Sequence, residues 1–213
     1  MSLLLELANK YGSDKGSRPD LRTSFGDHLY TNVYEELFEH RRKEPLNILE
    51  IGLEKTGTSL EAPSLSMWRE YFPEAIIFGY DCRDFSGFKQ YNTFTFKGDQ
   101  SKITDLENFA ATMCNNLDIV IDDGSHISKD QQISLGTLFK YMNTNGLYII
   151  EDLCWQPSPD FPKTADVLRN FITTKKIQSS FLSLNICEYL NENIKNVEIR
   201  KPGGCEMGVI IKK

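Results

Sequence analysis

Two apolar runs in the second half of the chain each end in a pair of carboxylates. The first ends in Asp122 and Asp123, with His126 three residues further on, and the second ends in Glu151 and Asp152. Short apolar runs bounded by turn residues are typical of buried strands in a parallel sheet. Because ligands bind at the carboxyl edge of such sheets, we expect these five side chains to meet at one site.

Metal binding is the first chemistry that this set suggests. Asp123, Glu151 and Asp152 are hard oxygen donors without cysteine partners, a ligand set that suits Mg²⁺, Mn²⁺ or Ca²⁺ rather than zinc. Converging carboxylates repel one another, and a bound divalent cation would relieve that repulsion. The alternative is that some of these acids cap helices or pair with Lys or Arg.

Proton transfer is the second chemistry. An imidazole exchanges a proton near neutral pH, so His126 beside a metal site is the candidate general base, although a lone histidine is more often structural. His28 is interpreted as a surface histidine, with a role facing the substrate as the alternative. Trp155 either walls the substrate or packs as an ordinary core aromatic.

Three further acids follow earlier strand-like runs. Glu50 with Gly52 ends the first run, Asp81 ends the second about thirty residues later, and Asp99 follows the third. This spacing is typical of a nucleotide-binding βαβ unit, in which the acid after the second strand binds ribose hydroxyls. The absence of G-x-G-x-x-G argues against NAD. An ordinary strand-to-helix turn is the alternative reading of Glu50 and Gly52.

The elements that position these residues alternate between strands and helices. Hydrophobic periodicity, turn residues and helix stop signals predict them. The predicted strands are 47–52, 75–80, 93–97, 117–121, 146–150, 197–200 and 207–211, and Pro202-Gly203-Gly204 predicts an antiparallel hairpin between the last two. The predicted helices are 2–10, 32–42, 63–72, 104–114, 129–141, 163–174 and 181–193. We expect one α/β domain over 1–213, with N-terminal helices and a flap in 1–44 and the body in 45–213.

Composition excludes several classes of protein. The 213 residues carry a formal net charge of -6 and no Lys/Arg stripe, which argues against nucleic-acid binding. No signal peptide or apolar run long enough for a membrane span is evident. The five cysteines show no C-x-x-C pair, and we expect them to be reduced thiols. These features predict a soluble cytoplasmic protein, with a homo-oligomer left open.

Seven short blocks occur in order between about residues 10 and 155. They are Tyr11–Gly16, His28–Thr31 with Tyr34-Glu35, Leu49–Leu53, Ser64–Trp68 with Tyr71–Pro73, Gly98–Ser101, Ile121–His126 and Gly146–Leu153. With these blocks the chain resembles class I S-adenosylmethionine-dependent methyltransferases. More narrowly, it resembles the Mg²⁺-dependent sugar O-methyltransferases of macrolide biosynthesis, of the mycinamicin and tylosin deoxyallose 2-O-methyltransferase type. Segment 54–64 departs from the family pattern because it lacks a glycine-rich run.

The resemblance implies a fold and a set of roles. The fold is a Rossmann-like, doubly wound seven-stranded sheet, mostly parallel with an antiparallel last strand and with helices on both faces. The implied cofactors are S-adenosylmethionine and Mg²⁺ or Mn²⁺. Asp123, Glu151 and Asp152 would hold the metal, and His126 would be the base. The implied cofactor contacts are Tyr11, Glu50, Gly52, Ser66, Asp81, Asp99 and Gln100.

The expected activity is O-methylation of a small-molecule hydroxyl, on a sugar or a glycosylated compound. Two alternatives remain open at this point. The chain would be a non-catalytic binding module on a methyltransferase fold, or a Mg²⁺-dependent hydrolase that uses the carboxylate cluster. The hydrolase leaves Glu50, Asp81 and Asp99 unexplained, and the sequence shows no glycine-rich phosphate loop.

Overall fold

A computed structural model describes residues 2–17, 27–53, 61–112 and 116–213. Its helices and strands follow the predicted order along the chain. The helices are α1 (Leu3–Tyr11), α2 (Tyr30–Phe38), α3 (Pro63–Tyr71), α4 (Ile103–Thr112), α5 (Ser128–Leu138), α6 (Thr164–Thr174) and α7 (Leu184–Asn193). The strands are β1 (Asn47–Ile51), β2 (Ile76–Asp81), β3 (Thr93–Lys97), β4 (Leu117–Asp122), β5 (Met142–Ile150), β6 (Ile194–Arg200) and β7 (Met207–Lys212).

The seven strands form one sheet in the order β3-β2-β1-β4-β5-β7-β6. Strands β1 to β5 pair in parallel, whereas β7 runs antiparallel to both β5 and β6. The predicted mostly parallel sheet and the terminal antiparallel hairpin are therefore confirmed. The chain winds outward from β1 to β3, then returns to the other side of β1 to start β4. The adjacent strands β1 and β4 thus mark the point where the strand order reverses.

Both faces of the sheet are covered, which explains why its central strands read as continuous apolar runs. Successive side chains of a strand point to opposite faces. Ile119 of β4 packs in one core with α1, α2 and α3, and its neighbour Val120 packs in the other core with α4 to α7. On the first face, Trp68 makes edge contacts with Tyr34 and Phe38. These contacts fix α2 against α3 on this face of the sheet.

Several elements differ from their predicted bounds by a few residues; among them, α7 starts at Leu184 and β6 at Ile194, three residues after and three residues before the predicted starts. Helix α2 starts at Tyr30, two residues early, and gives way at Glu39 to a single 3₁₀ turn. Strand β5 starts at Met142 rather than Gly146, because Met142 pairs with Leu117 before the register shifts at Ile119. Asn145, within this start, adopts a left-handed φ of 59°. The turn-like composition of this stretch therefore marks an irregularity inside the strand and not a loop before it.

The expectation that all cysteines are reduced is wrong. Cys154 and Cys205 form a disulfide whose Cα atoms lie 5.5 Å apart. It joins the segment after β5 to the turn between β6 and β7. Cys82 and Cys187 are free thiols, the first exposed and the second buried. Cys114 lies outside the described residues.

Two predicted segments fall mostly outside the described residues. These are the flap at 17–28, described only at 17 and 27–28, and the atypical segment 54–64, described only from 61. Among the helices that the structure describes, none is long and apolar enough to cross a membrane.

Candidate functional site

The site opens where β1 and β4 end side by side. In an open parallel sheet, a crevice forms at the carboxyl edge where the strand order reverses. Gly52, directly after β1, adopts a left-handed φ of 86°, and a Cβ built there would lie 2.1 Å from the carbonyl oxygen of Asp123. Only glycine allows the backbones of the two strand ends to come this close.

A cavity of about 370 Å³ lies in this crevice, within the size range of small-molecule sites. Gly52 and Gly124 line it together with the acids Asp81 and Asp99. The carboxylate of Asp81 is nearly buried and accepts hydrogen bonds from the backbone N–H of Leu53 at 2.9 Å and of Arg83 at 2.8 Å. Asp81 therefore fixes the rim of the cavity and keeps free lone pairs for a ligand.

Gln100 also lines the cavity, but its side chain is engaged within the protein. The amide nitrogen donates to Asp122 at 2.6 Å and to Ser134 at 3.2 Å, and the amide oxygen accepts from the backbone N–H of Ser125 at 3.0 Å. Gln100 therefore orders the turn that leads to His126. A cofactor contact by Gln100 stays a prediction.

Tyr11 and Ser66 lie together at a second cavity, of about 670 Å³, between α3 and the segment after β2. The Tyr11 hydroxyl donates to Glu70, and the Ser66 hydroxyl accepts from Gln90 at 3.2 Å. Neither residue lines the cavity at Gly52. Their predicted contacts with the cofactor stay predictions.

Asp123, His126 and Asp152 come together at the ends of β4 and β5. Each offers one ligand atom, and these atoms all lie within 4.8 Å of one another. The Nε2 atom of His126 is 3.6 Å from Oδ2 of Asp152. The other ring nitrogen, Nδ1, is buried without a hydrogen-bond partner in the described part of the chain. His126 therefore presents Nε2 to the cluster.

The backbone is strained at two members of this cluster. His126 and Asp152 adopt left-handed φ values of 56° and 54°, a conformation that costs non-glycine residues free energy and is enriched at functional sites. Hydrogen bonds hold the strained turns, with Glu151 N–H donating to the carbonyl of Asp122 at 3.0 Å and Trp155 N–H to that of Asp152 at 2.9 Å. This backbone conformation directs the side chains of His126 and Asp152 toward each other.

Lys15 is the site residue that the sequence analysis missed. Its buried ammonium lies 2.6 Å from Asp123, 2.9 Å from Glu151 and 3.3 Å from Glu50. Burial acts to lower the pKa of Lys15, but these carboxylates outweigh burial, so the pKa lies well above its usual range and the ammonium stays charged. The alternative of pairing with lysine is thus realised at Asp123 and Glu151, two of the three predicted metal ligands.

Glu151 is enclosed more tightly than its predicted role suggests. Its carboxylate is buried and accepts hydrogen bonds from Lys15 and from the hydroxyl of Tyr34. Burial and the nearby charge of Asp123 raise its pKa well above the usual range, although Lys15 opposes this shift. Glu151 as a metal ligand stays a prediction. A metal there would have to bind Glu151 together with Lys15, or displace the Lys15 ammonium from its carboxylate.

Asp152 has its own set of neighbours on α2 and just before it. The Tyr30 hydroxyl donates to Oδ1 of Asp152 at 2.7 Å, and Nε2 of His28 lies 3.8 Å from the same oxygen. Burial, Asp152 and Glu151 raise the pKa of Tyr30, so its hydroxyl remains a donor. The interpretation of His28 as a surface histidine is wrong, because its side chain is only 13% exposed and faces the cluster.

Two positions in the sequence could have indicated these neighbours. Tyr30 and Tyr34 are spaced i, i+4, which places them on one face of a helix.

The carboxylate of Asp122, in contrast, is hydrogen-bonded by groups outside the cluster. It is fully buried and accepts hydrogen bonds from Gln100, Ser134 and Tyr148.

Trp155 borders the cluster on its open side. Its ring centroid lies 5.1 Å from that of His126, and the side chain is 46% exposed. The exposure excludes the interpretation of Trp155 as an ordinary core aromatic. A half-exposed indole beside the candidate base is available to a bound molecule.

The donor set of the cluster fits a divalent cation. Asp123 and Asp152 supply oxygens, Glu151 and Glu50 lie just behind them, and Lys15 is the one cation that the described residues place among these four acids. One ammonium offsets only part of the charge that these four acids carry when they are ionised, so their ionised forms favour further positive charge.

Comparison with curated proteins gives relatives that modify sugars. The chain is 35% identical over 164 residues to 8-demethyl-8-alpha-L-rhamnosyl tetracenomycin-C 2'-O-methyltransferase of Streptomyces olivaceus, which covers 76% of this chain and 41% of the relative. It is 30% identical over 214 residues to mycinamicin VI 2''-O-methyltransferase of Micromonospora griseorubida, covering 97% of this chain and 49% of the relative. The chain thus spans less than half the length of these relatives. No protein family model matches it.

Comparison with solved structures agrees. A crystal form of the MycE methyltransferase from the mycinamycin biosynthetic pathway, in complex with Mg and S-adenosylhomocysteine (SAH), superposes with a TM-score of 0.80 at 27% identity, covering 99% of this chain and 53% of that chain. The same enzyme with mycinamycin VI also bound gives a TM-score of 0.78. The sheet order and the ordered sequence blocks match these findings. The chain therefore belongs to the class I methyltransferases, among the relatives of the sugar O-methyltransferases of natural-product pathways.

Proposed function

We propose that this chain transfers a methyl group from S-adenosylmethionine to a sugar hydroxyl of a glycosylated small molecule, with the help of a divalent cation. The observation that carries the proposal is the convergence of Asp123, His126 and Asp152 at 4.8 Å or less, beside the cavity at Gly52. A donor set for a hard cation and a candidate base stand at the edge of a cofactor-sized cavity. The two sugar O-methyltransferases named above support the reaction and the class of acceptor.

The cavity at Gly52 is the proposed cofactor site. Asp81 would accept hydrogen bonds from the ribose hydroxyls through the lone pairs that Leu53 and Arg83 leave free. Asp99 also lines this cavity and would lie near the adenine ring. Glu50, fully buried two residues before Gly52, would lie near the methionine part. When bound, S-adenosylmethionine supplies an electrophilic sulfonium methyl group.

Asp123 and Asp152 would hold the cation, with Glu151 as the third ligand. A divalent ion bound there would lower the pKa of a ligated hydroxyl and orient it. His126 would then accept the proton of the acceptor hydroxyl at Nε2, the nitrogen that faces the cluster. The acceptor oxygen would attack the methyl carbon in line, at roughly 3 Å, and the methyl–sulfur bond would break to release SAH. The left-handed turns at His126 and Asp152 fix where the side chains of these two residues lie.

The acceptor would enter on the side of Trp155 and His28. The half-exposed indole would offer an apolar surface to one face of a sugar ring, and His28 lies beside Asp152 of the same cluster. Aromatic walls with a few convergent polar groups are typical of small-molecule sites. Specificity for one glycosylated compound would arise from the loops around these two residues.

A radiometric assay tests the proposal. The purified protein would be incubated with methyl-labelled S-adenosylmethionine and a panel of rhamnosylated and macrolide glycosides, with Mg²⁺ or with excess EDTA. We expect transfer to at least one glycoside with Mg²⁺, and loss of nearly all transfer with EDTA. Transfer that survives EDTA contradicts the metal role, and cofactor binding without transfer to any acceptor favours a non-catalytic binding module.

A further inference from the structure

Lys15 reaches the site from a segment that is fastened at both ends. Helix α1 stops at Gly12, whose left-handed φ of 76° turns the chain, and Ser13 N–H then donates to the carbonyl of Ala8 at 2.9 Å. On the other side, Thr31 N–H at the start of α2 donates to the carbonyl of Lys15 at 3.1 Å. The backbone of Lys15 is therefore anchored to two helices while its side chain extends into the acid cluster.

The ammonium of Lys15 joins the two halves of the site. Glu50, near the end of β1, belongs to the proposed cofactor site, whereas Asp123 and Glu151 belong to the proposed metal site. The ammonium contacts all three. Both the ammonium and Glu151 are about 1% exposed, so water screens this contact very little. Burying such charges is tolerated only when they are paired, and the described residues offer Glu151 no other cation.

The ammonium contacts two of the residues that are predicted to bind the divalent cation. The ammonium approaches Oδ2 of Asp123 and Oε1 of Glu151, two of the three predicted ligand residues. A cation bound to those groups would stand close to the ammonium, and two positive charges a few ångströms apart repel. The ammonium therefore opposes the metal as well as stabilising the ligands.

We propose that Lys15 is a positioning residue that holds Asp123 and Glu151 together in the metal-free protein and competes with the divalent cation for them. The inference rests on the proposed metal site and adds a determinant of its affinity. The competition gives metal-free stability and metal affinity opposite responses to loss of the lysine charge. Removing the positive charge should destabilise the metal-free protein and at the same time tighten metal binding, whereas a merely structural lysine would weaken both.

The test is a comparison of Lys15→Met with Lys212→Met. Lys212 is the matched control, because its buried ammonium donates to the backbone carbonyls of Phe139 and Met142 and contacts no carboxylate of the residues that the structure describes. Thermal unfolding of EDTA-treated protein and calorimetric titration with MgCl₂ and MnCl₂ would be measured for both variants and the wild type. We expect both variants to melt lower without metal, and only Lys15→Met to bind metal at least tenfold more tightly.

The outcomes separate this inference from the proposed function. If the wild type binds Mg²⁺ and Lys15→Met binds it no more tightly, the competition is wrong while the metal site stands. If the wild type binds neither Mg²⁺ nor Mn²⁺, both are wrong. Should Lys15→Met not fold, lysine acetylation of the wild type is followed by mass spectrometry. We expect saturating Mg²⁺ to speed acetylation of Lys15 but not of Lys212, and an unchanged or slower rate would overturn the competition.

Discussion

At the scale of single residues, His126 carries the proposed proton transfer. Its Nε2 faces Asp152, and its side chain does not line the cavity at Gly52. We predict that His126→Asn lowers kcat by about 10²- to 10⁴-fold, the usual contribution of a general base, and leaves the affinity for SAH within about twofold. Steady-state kinetics and calorimetry would check this. A large loss of SAH affinity would show that His126 acts on the cofactor site instead.

Gly52 tests the cofactor cavity. A methyl group at this position would meet the carbonyl of Asp123 at 2.1 Å, and the left-handed φ of 86° adds backbone strain. We predict that Gly52→Ala abolishes SAH binding and lowers the free energy of unfolding by about 2 kcal/mol. Gly87→Ala is the control, because a Cβ there meets nothing within 4 Å. SAH binding retained in Gly52→Ala would place the cofactor elsewhere.

The sequence predicted which acids gather but not what surrounds them. Asp123 and Asp152 could be placed together, because each follows a strand and parallel strands end at one edge. Lys15 could not, since its contact with Asp123 spans 108 positions and joins a loop of the N-terminal helices to the sheet. The sequence also could not show that Asp122 lies outside the cluster, because its carboxylate is held by hydrogen bonds from Gln100 and Ser134, which are distant in sequence.

At the scale of elements, the Cys154–Cys205 disulfide fixes the segment that presents Trp155. The bond spans 51 positions. A disulfide that closes a loop in the unfolded chain typically stabilises the folded state by about 2–4 kcal/mol. We predict that Cys154→Ser lowers the free energy of unfolding by about that amount and speeds proteolysis within 154–163. Denaturant unfolding and limited proteolysis would measure both effects.

Cys82→Ser is the control for this prediction, because Cys82 is a free and exposed thiol, and its unfolding free energy should stay near the wild-type value. Equal stability of Cys154→Ser and the wild type under oxidising conditions would show that the bond does not form in solution. The sequence could not predict the pairing, because widely spaced cysteines do not reveal which of them approach in the fold.

The strands were more predictable than their starts. Short apolar runs between turn residues, such as Leu117–Ile121, predict buried strands. The Pro-Gly-Gly turn predicts the final hairpin. The start of β5 was not predictable, because its first residues have turn-forming side chains and pair only through a shifted register with β4. Long-range pairing decides such boundaries, and local propensity does not reveal it.

At the scale of the whole molecule, the proposed metal site would make stability depend on metal. A ligand at about 100 times its Kd stabilises the folded state by about 2.7 kcal/mol, which corresponds to roughly 5–10 °C for a domain of this size. We therefore predict that Mg²⁺ raises the Tm of EDTA-treated protein by that amount. Asp123→Asn should lose the shift, and Asp166→Asn, an exposed acid on α6, should keep it. An equal shift in all three proteins would indicate nonspecific binding.

The central claim is that this sheet edge binds S-adenosylmethionine beside a metal site, and calorimetric titration of the metal-loaded protein tests it most directly. The titrants would be S-adenosylmethionine and SAH, with NAD⁺ and ATP as controls. The account predicts binding of the first two at about micromolar Kd, one molecule per chain, and no binding of NAD⁺ or ATP. Binding of NAD⁺ instead, or of none of the four, would contradict it.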